Sequence, residues 1–224
     1  MGNVSFGAPR EIIEKMRATF QIATFVETGT YLGGTAAWAS EHFDRVFTIE
    51  GSHDFHRQAQ ERHGQKGDIE FLLGDSRAML REVILRLGNT PALFWLDAHW
   101  MPGSFGEAHE CPLLEEIDAI HQSTAEHFIL IDDARLFLAP PPFPHRARDW
   151  PDITTVLSAL NTAGRPTNYS VIYNDVILSI PAFARERMQN FYQEQATADL
   201  QASTRPASNP LVRILGGIKR RLRG

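Results

Sequence analysis

Five short apolar runs constrain this chain more than anything else in it: "ATFVET" (23–28), "RVFTIE" (45–50), "IEFLLG" (69–74), "ALFWLD" (92–97) and "FILIDD" (128–133). Each has strand length and is rich in β-branched and aromatic residues. Between them lie "TAAWASEHF", "DFHRQAQERHG", "SRAMLREVILRLG" and "PLLEEIDAIHQS", whose apolar positions recur at helical spacing. In the third of these, Met79, Leu80, Val83, Ile84 and Leu87 share one face and Gly88 supplies the stop. Strands this apolar are buried on both sides, and strand–helix alternation implies a parallel sheet with right-handed crossovers and helices on both faces. The stretch "YSVIYNDVILSIP" (169–181) then offers two strands around "YND", which would close the sheet with an antiparallel pair.

At 224 residues the chain suits one well-buried core with appendages. Two segments stand apart from the alternation. The proline-rich "LAPPPFPHRARDWPD" (138–152) can be neither helix nor central strand and reads as a long loop after the fifth strand. The small, polar "ATADLQASTRPASNP" (196–210) reads as a flexible linker. The expected organisation is therefore a domain over 1–195, a linker over 196–210 and a tail over 211–224. In that tail Leu211, Ile214, Leu215, Ile218 and Leu222 oppose Arg213, Lys219, Arg220, Arg221 and Arg223. Such a basic amphipathic segment offers a peripheral contact with an anionic membrane, with Gly216-Gly217 weakening it as a helix.

Other classes are excluded or disfavoured. A net charge of −5 argues against nucleic acid as the main partner. A lone cysteine, Cys111, permits no internal disulfide and suits a reducing, cytoplasmic compartment. No apolar run approaches a membrane span, and the N-terminus lacks the apolar core of a signal peptide. Phe6 stands where N-myristoylation wants Ser or Thr.

In an open parallel sheet ligands bind beyond the carboxyl ends of the strands. Here those ends carry Glu27-Thr28-Gly29, Glu50-Gly51, Asp75-Ser76, Asp97-Ala98-His99 and Asp132-Asp133. Taken singly, such residues are ordinary helix caps and turn formers. Five successive strand-end acids say more. The turn "FVETGTYLGGTAAWA" (25–39) fails the dinucleotide spacing, with Tyr31 where a second glycine belongs, and Glu27 would oppose a pyrophosphate. A cationic ligand without phosphate reverses that objection. S-adenosylmethionine, with an ammonium, a sulfonium and ribose hydroxyls, is such a ligand. Glu50 lies 21 residues after Gly29, close to the roughly 20-residue offset at which an acid takes ribose hydroxyls.

On these residues the sequence resembles the class I S-adenosylmethionine-dependent methyltransferases over about 20–181. "VETGTYLGGT" is similar to their first motif in the form found in sugar and macrolide O-methyltransferases, and "FTIEGS" and "LLGDS" resemble the second and third. The resemblance implies a Rossmann-like methyltransferase fold, a mostly parallel seven-stranded sheet with an antiparallel last strand. It also implies cofactor contacts from Glu27, Thr28, Gly29, Thr30, Gly33, Thr35, Glu50, Gly51, Asp75 and Ser76. Tyr31 departs from the commonest form of the motif. "FWLDAHW" and "FILIDDARLF" resemble the divalent-metal site of macrocin-type and catechol-type O-methyltransferases, which implies Asp97, Asp132 and Asp133 as ligands. Independently, three converging carboxylates repel unless a cation joins them, and oxygen ligands suit Mg2+, with Mn2+ or Ca2+ as alternatives. Trp100 stands where the catechol-type enzymes place a lysine base, so His99 becomes the candidate base beside Asp97.

The loops "HWMPGSFGEAHECP" (99–112) and 138–152 should overhang this edge, with Arg135, Arg146 and Arg148 available to an acidic group or to solvent. The expected activity is O-methylation of a sugar or small natural-product hydroxyl, in a protein able to form a homo-oligomer. Three alternatives stay open: a binding module without turnover, a nicotinamide oxidoreductase, and a hydroxylase sharing the glycine motif. The last needs a redox metal, which three carboxylates without a histidine pair do not favour.

Overall fold

The computed structural model describes residues 7–161 and 168–204. Seven strands form one sheet in the order β3-β2-β1-β4-β5-β7-β6. They are β1 (Thr24–Thr28), β2 (Arg45–Glu50), β3 (Ile69–Leu73), β4 (Ala92–Leu96), β5 (Phe128–Ile131), β6 (Tyr169–Tyr173) and β7 (Val176–Ile180). β1 to β5 pair in parallel, while β7 runs antiparallel to both β5 and β6. The expected antiparallel closure is present, made by a tight turn in which Asn174 takes φ +48°, a conformation asparagine tolerates.

Side-chain alternation shows that both faces are covered. Val26, Phe47, Ile49, Phe94, Leu96, Ile129 and Ile131 pack in one cluster with α4 (Ser76–Leu87), α5 (Leu113–Ile120) and α7 (Ile153–Leu160). Their sequence neighbours Phe25, Val46, Leu93, Trp95, Phe128 and Leu130 point the other way and are buried too. There Phe25 meets Trp38 of α2 (Gly34–Ala39) edge-on, and Phe128 lies 5.1 Å from Phe20 of α1 (Arg10–Phe20). The helix α1 was not foreseen in the sequence, although Ile12, Ile13 and Met16 give it a buried stripe.

Helix starts set the geometry of the carboxyl edge. Ser52 caps α3 (His53–His63) by accepting from the Phe55 N–H, and Asp75 caps α4 by accepting from the Arg77 N–H at 3.0 Å. Past β5 the chain makes one short turn of helix, α6 (Arg135–Leu138), and then the expected proline-rich loop, broken by a 3-10 turn at Ala147–Asp149.

A second unit begins at Glu186, and its described part lies in one helix, α8 (Arg185–Thr204). Residues 196–204, expected as linker, are helical because Ala, Leu and Gln recur in them and no Gly or Pro intervenes. Residues 205–210 and the basic segment 211–224 lie outside the described residues. No helix among the described residues is long and apolar enough to cross a membrane.

Candidate active site

The chain order reverses between β1 and β4, which opens a crevice at their carboxyl ends. The β1–α2 turn begins there. Gly29 has φ +86°, and a Cβ on it would stand 2.2 Å from the Asp97 carbonyl oxygen, so this turn can pass the end of β4 only as glycine. Tyr31 also takes positive φ, +49°, and its backbone N–H donates to Glu50 Oε2 at 2.8 Å. The other Glu50 oxygen accepts the Ser52 N–H at 2.8 Å. One carboxylate thus ties the loops after β1 and β2 together.

These loops border a cavity of about 360 Å3, within the roughly 300–1,000 Å3 of small-molecule sites. Its wall includes Gly29, Glu50 and Gly51 from the first two strand ends, Asp75 and Ser76 from the third, and Asp97 and His99 from the fourth. The loop 101–109 supplies the opposite side, with Met101, Phe105, Glu107 and His109. The Phe105 ring lies so close over Gly51 that a Cβ there would be 2.2 Å from it. Tyr31 and Phe55, ring centroids 4.8 Å apart, add an aromatic edge.

At the cavity floor His99 donates from Nε2 to Asp133 at 2.8 Å, and its Nδ1 lies 3.6 Å from Asp97. Asp133, at φ +56°, is held by Arg135 at 2.6 Å. Arg135 is in turn braced by the buried Asp175 of the β6–β7 turn, whose carboxylate accepts from both its backbone N–H and its guanidinium. Burial works against a charged His99 ring, but the hydrogen bond to Asp133 and the charge of Asp97 outweigh it and raise its pKa. Asp133 is half-buried, yet His99 and Arg135 hold it below the usual carboxylate range. Burial pushes Asp97 up to about 6, with His99 opposing and Asp133 adding to the rise. Asp132 goes to about 7 through burial and its repulsion from Asp97 and Asp133.

This arrangement does not support the expected metal site. Asp132 accepts the Asp133 N–H at 2.7 Å, and Asp133 is turned toward His99 and Arg135. The three carboxylates cluster, with His99 and Arg135 as close cationic partners of Asp133 and His99 Nδ1 at 3.6 Å from Asp97. Among the described residues no group of three or more His, Cys, Asp or Glu is arranged to hold a metal ion.

No family model matches the chain, and no curated protein does. Solved structures do match in fold. A provisionally named caffeoyl-CoA O-methyltransferase from Staphylococcus aureus superposes with a TM-score of 0.56 at 13% identity, over 80% of this chain and 86% of that one. A provisionally named methyltransferase from Streptococcus mutans, solved with SAH, gives 0.53 at 12% identity over 79% and 99%. A provisionally named O-methyltransferase from Klebsiella pneumoniae gives 0.51 at 14% identity over 80% and 82%. The fold is that of the Rossmann-like methyltransferases.

Within this methyltransferase fold the expected cofactor residues separate into two groups. Gly29, Glu50, Gly51, Asp75 and Ser76 reach the cavity wall. Glu27, Thr28, Thr30, Gly33 and Thr35 do not border it. Glu27 faces α2, where it accepts from Thr48 at 2.6 Å and from Thr35, and Thr48 in turn meets Thr30 at 2.6 Å. Burial drives Glu27 up to about 8, so at neutral pH it is largely a neutral acid, not the charge anticipated at the loop mouth. Gly33 has φ +79° and starts α2 against Ala59 and His63. Thr28 points to the opposite face, where it and Ser76 hydrogen-bond the buried Glu116 of α5, whose pKa burial raises to about 7. Sequence reading missed Glu116, although an acid inside the buried 113, 116, 117, 120 stripe of a helix was a signal.

The overhanging loops are fastened by another acid that was passed over. The buried Glu110 carboxylate accepts from the Trp150 indole and the Arg146 N–H, each at 2.9 Å, and its backbone oxygen accepts the Trp100 N–H at 2.7 Å. Although burial opposes it, these donors keep Glu110 below its ordinary pKa.

Proposed function

We propose that this chain transfers a methyl group from S-adenosylmethionine to a hydroxyl of a sugar or small natural product. One observation carries the reading: a single cavity at the switch point joins Glu50 and Asp75, at the second and third strand ends, to Asp97 and His99 after the fourth, and His99 is backed by Asp133. The cavity's volume and its acid-rich wall fit a cationic nucleoside. When bound, S-adenosylmethionine supplies an electrophilic methyl group on a positively charged sulfur. Glu50 keeps a lone pair on each oxygen after accepting the Tyr31 and Ser52 N–H groups, and these lone pairs can receive ribose hydroxyls. Asp75 is paired to Arg77 and presents the same carboxylate to the cavity where the base would lie. Tyr31 and Phe55 give its ring an apolar border.

His99 is the base. In the neutral ring, with Nε2–H donated to ionised Asp133, the lone pair is on Nδ1, on the Asp97 side, and the raised pKa makes that nitrogen a stronger base. Nδ1 takes the acceptor's hydroxyl proton as the oxygen attacks, and Asp133 stabilises the imidazolium that results. No step is routed through a metal ion, since Asp133, one of the three carboxylates that would hold one, is engaged by His99 and Arg135.

Calorimetric titration with S-adenosylmethionine and with NAD tests the reading. Micromolar binding of S-adenosylmethionine, lost in Glu50→Ala and unchanged by EDTA, is the expected result. No binding, or preference for NAD, would sink it, and binding that requires Mg2+ would restore the metal.

A further inference from the structure

The cavity wall is short of free positive charge. Arg77 is paired with Asp75, His99 with Asp133, and His109 with Glu115 at 3.3 Å. Of the arginines that the sequence offered to an acidic group, Arg148 does not border the cavity, and the other two are committed. Arg135 lies between Asp133 and Asp175, and Arg146 between Glu110 at 3.3 Å and Asp149 at 2.7 Å. The wall's acids are less well matched. Asp97 has no cationic neighbour nearer than His99 Nδ1 at 3.6 Å, and Glu107 has no ion pair among the described residues.

We propose that the acceptor half of this cavity selects by charge, taking hydroxyl compounds that are neutral or carry an ammonium and turning away those that carry a carboxylate or phosphate. The inference rests on the methyltransferase reading and narrows its substrate class. A carboxylate entering here would lose hydration without gaining a cation and would face Asp97 and Glu107. An ammonium reverses both effects. Met101 and Phe105, each about half exposed at the cavity mouth, suit an apolar or aromatic body on the acceptor.

Three phenols that differ in charge and little in shape make the test: tyramine, 4-ethylphenol and 4-hydroxyphenylacetate. Each is titrated calorimetrically into the full chain, with and without saturating S-adenosylhomocysteine. Tyramine should bind roughly tenfold or more tighter than 4-hydroxyphenylacetate, with 4-ethylphenol between them. Glu107→Gln should narrow that ratio, and added salt should do the same. Equal affinities, tighter binding of the carboxylate, or binding of none of the three would overturn the inference. Failure to bind S-adenosylhomocysteine would instead overturn the cofactor reading, while the series without it still reports the charge preference.

Discussion

Glu27 gives the sharpest test of the electrostatics. Its pKa is driven from 4.5 to about 8, chiefly by burial, with Asp97 and Glu50 adding to the rise and hydrogen bonds from Thr48 and Thr35 opposing it. A carboxyl whose folded pKa exceeds its unfolded one holds a proton in the native state that the unfolded chain has already released. Its contribution to stability is therefore full below about pH 4.5 and is lost as pH rises through about 8. At 1.36 kcal/mol per unit, the wild type should lose about 4 kcal/mol from this group between about pH 5 and pH 9. Glu27→Gln keeps an acceptor for the Thr48 hydroxyl and removes the titration. Urea unfolding of both proteins without ligand, across that range, isolates the effect. The variant should match the wild type near pH 5 and exceed it by about 4 kcal/mol near pH 9. Parallel curves would refute the reasoning, and weaker S-adenosylmethionine binding by the variant alongside them would make Glu27 an ionised ligand group after all.

The brace behind His99 predicts that Asp175→Ala costs about 3 kcal/mol in urea unfolding, because it strips a buried partner from Arg135, while Asp175→Asn costs less. A loss under about 1 kcal/mol would show that the brace is unimportant. Gly29→Ala should lower the unfolding free energy by about 2 kcal/mol or more and abolish cofactor binding, since the new methyl meets the Asp97 carbonyl; wild-type behaviour in both assays would contradict the close approach. Burial pushes the Cys111 thiol up to about 12, so a disulfide reagent at about pH 8 should label it only after denaturation. Rapid labelling of the native chain would contradict that burial.

The strands were readable because each is a buried apolar run, and β6–β7 because "YND" is turn chemistry between two such runs. What a linear pattern could not show is which strand-end acids share a cavity. Glu27 and Thr28 are adjacent on β1 and point to opposite faces, one into the threonine network and the other toward Glu116. The expected metal site lacks support for a related reason. Its acids are adjacent in space, as the sequence suggested, but Asp175, 40 residues after Arg135, decides what Asp133 faces. Residues 196–204 are helical where a linker was expected, because composition alone did not distinguish a polar helix from a polar coil.

The Glu110 fastening bears on how anything enters or leaves. With Trp100 and Trp150 both fixed to that residue, the two loops cannot swing away from the sheet as whole flaps unless a buried carboxylate is uncovered. The short arc from Met101 to His109 is joined to the proline-rich loop at one point, where the Arg146 guanidinium donates to the Glu107 carbonyl oxygen. Gly103 and Gly106, at φ +90° and +101°, flank Phe105 at its crest. Residence time in the cavity then depends on the Phe105 ring lifting from Gly51, and exchange should respond to changes at Gly103 or Gly106 and, in the proline-rich loop, at Arg146.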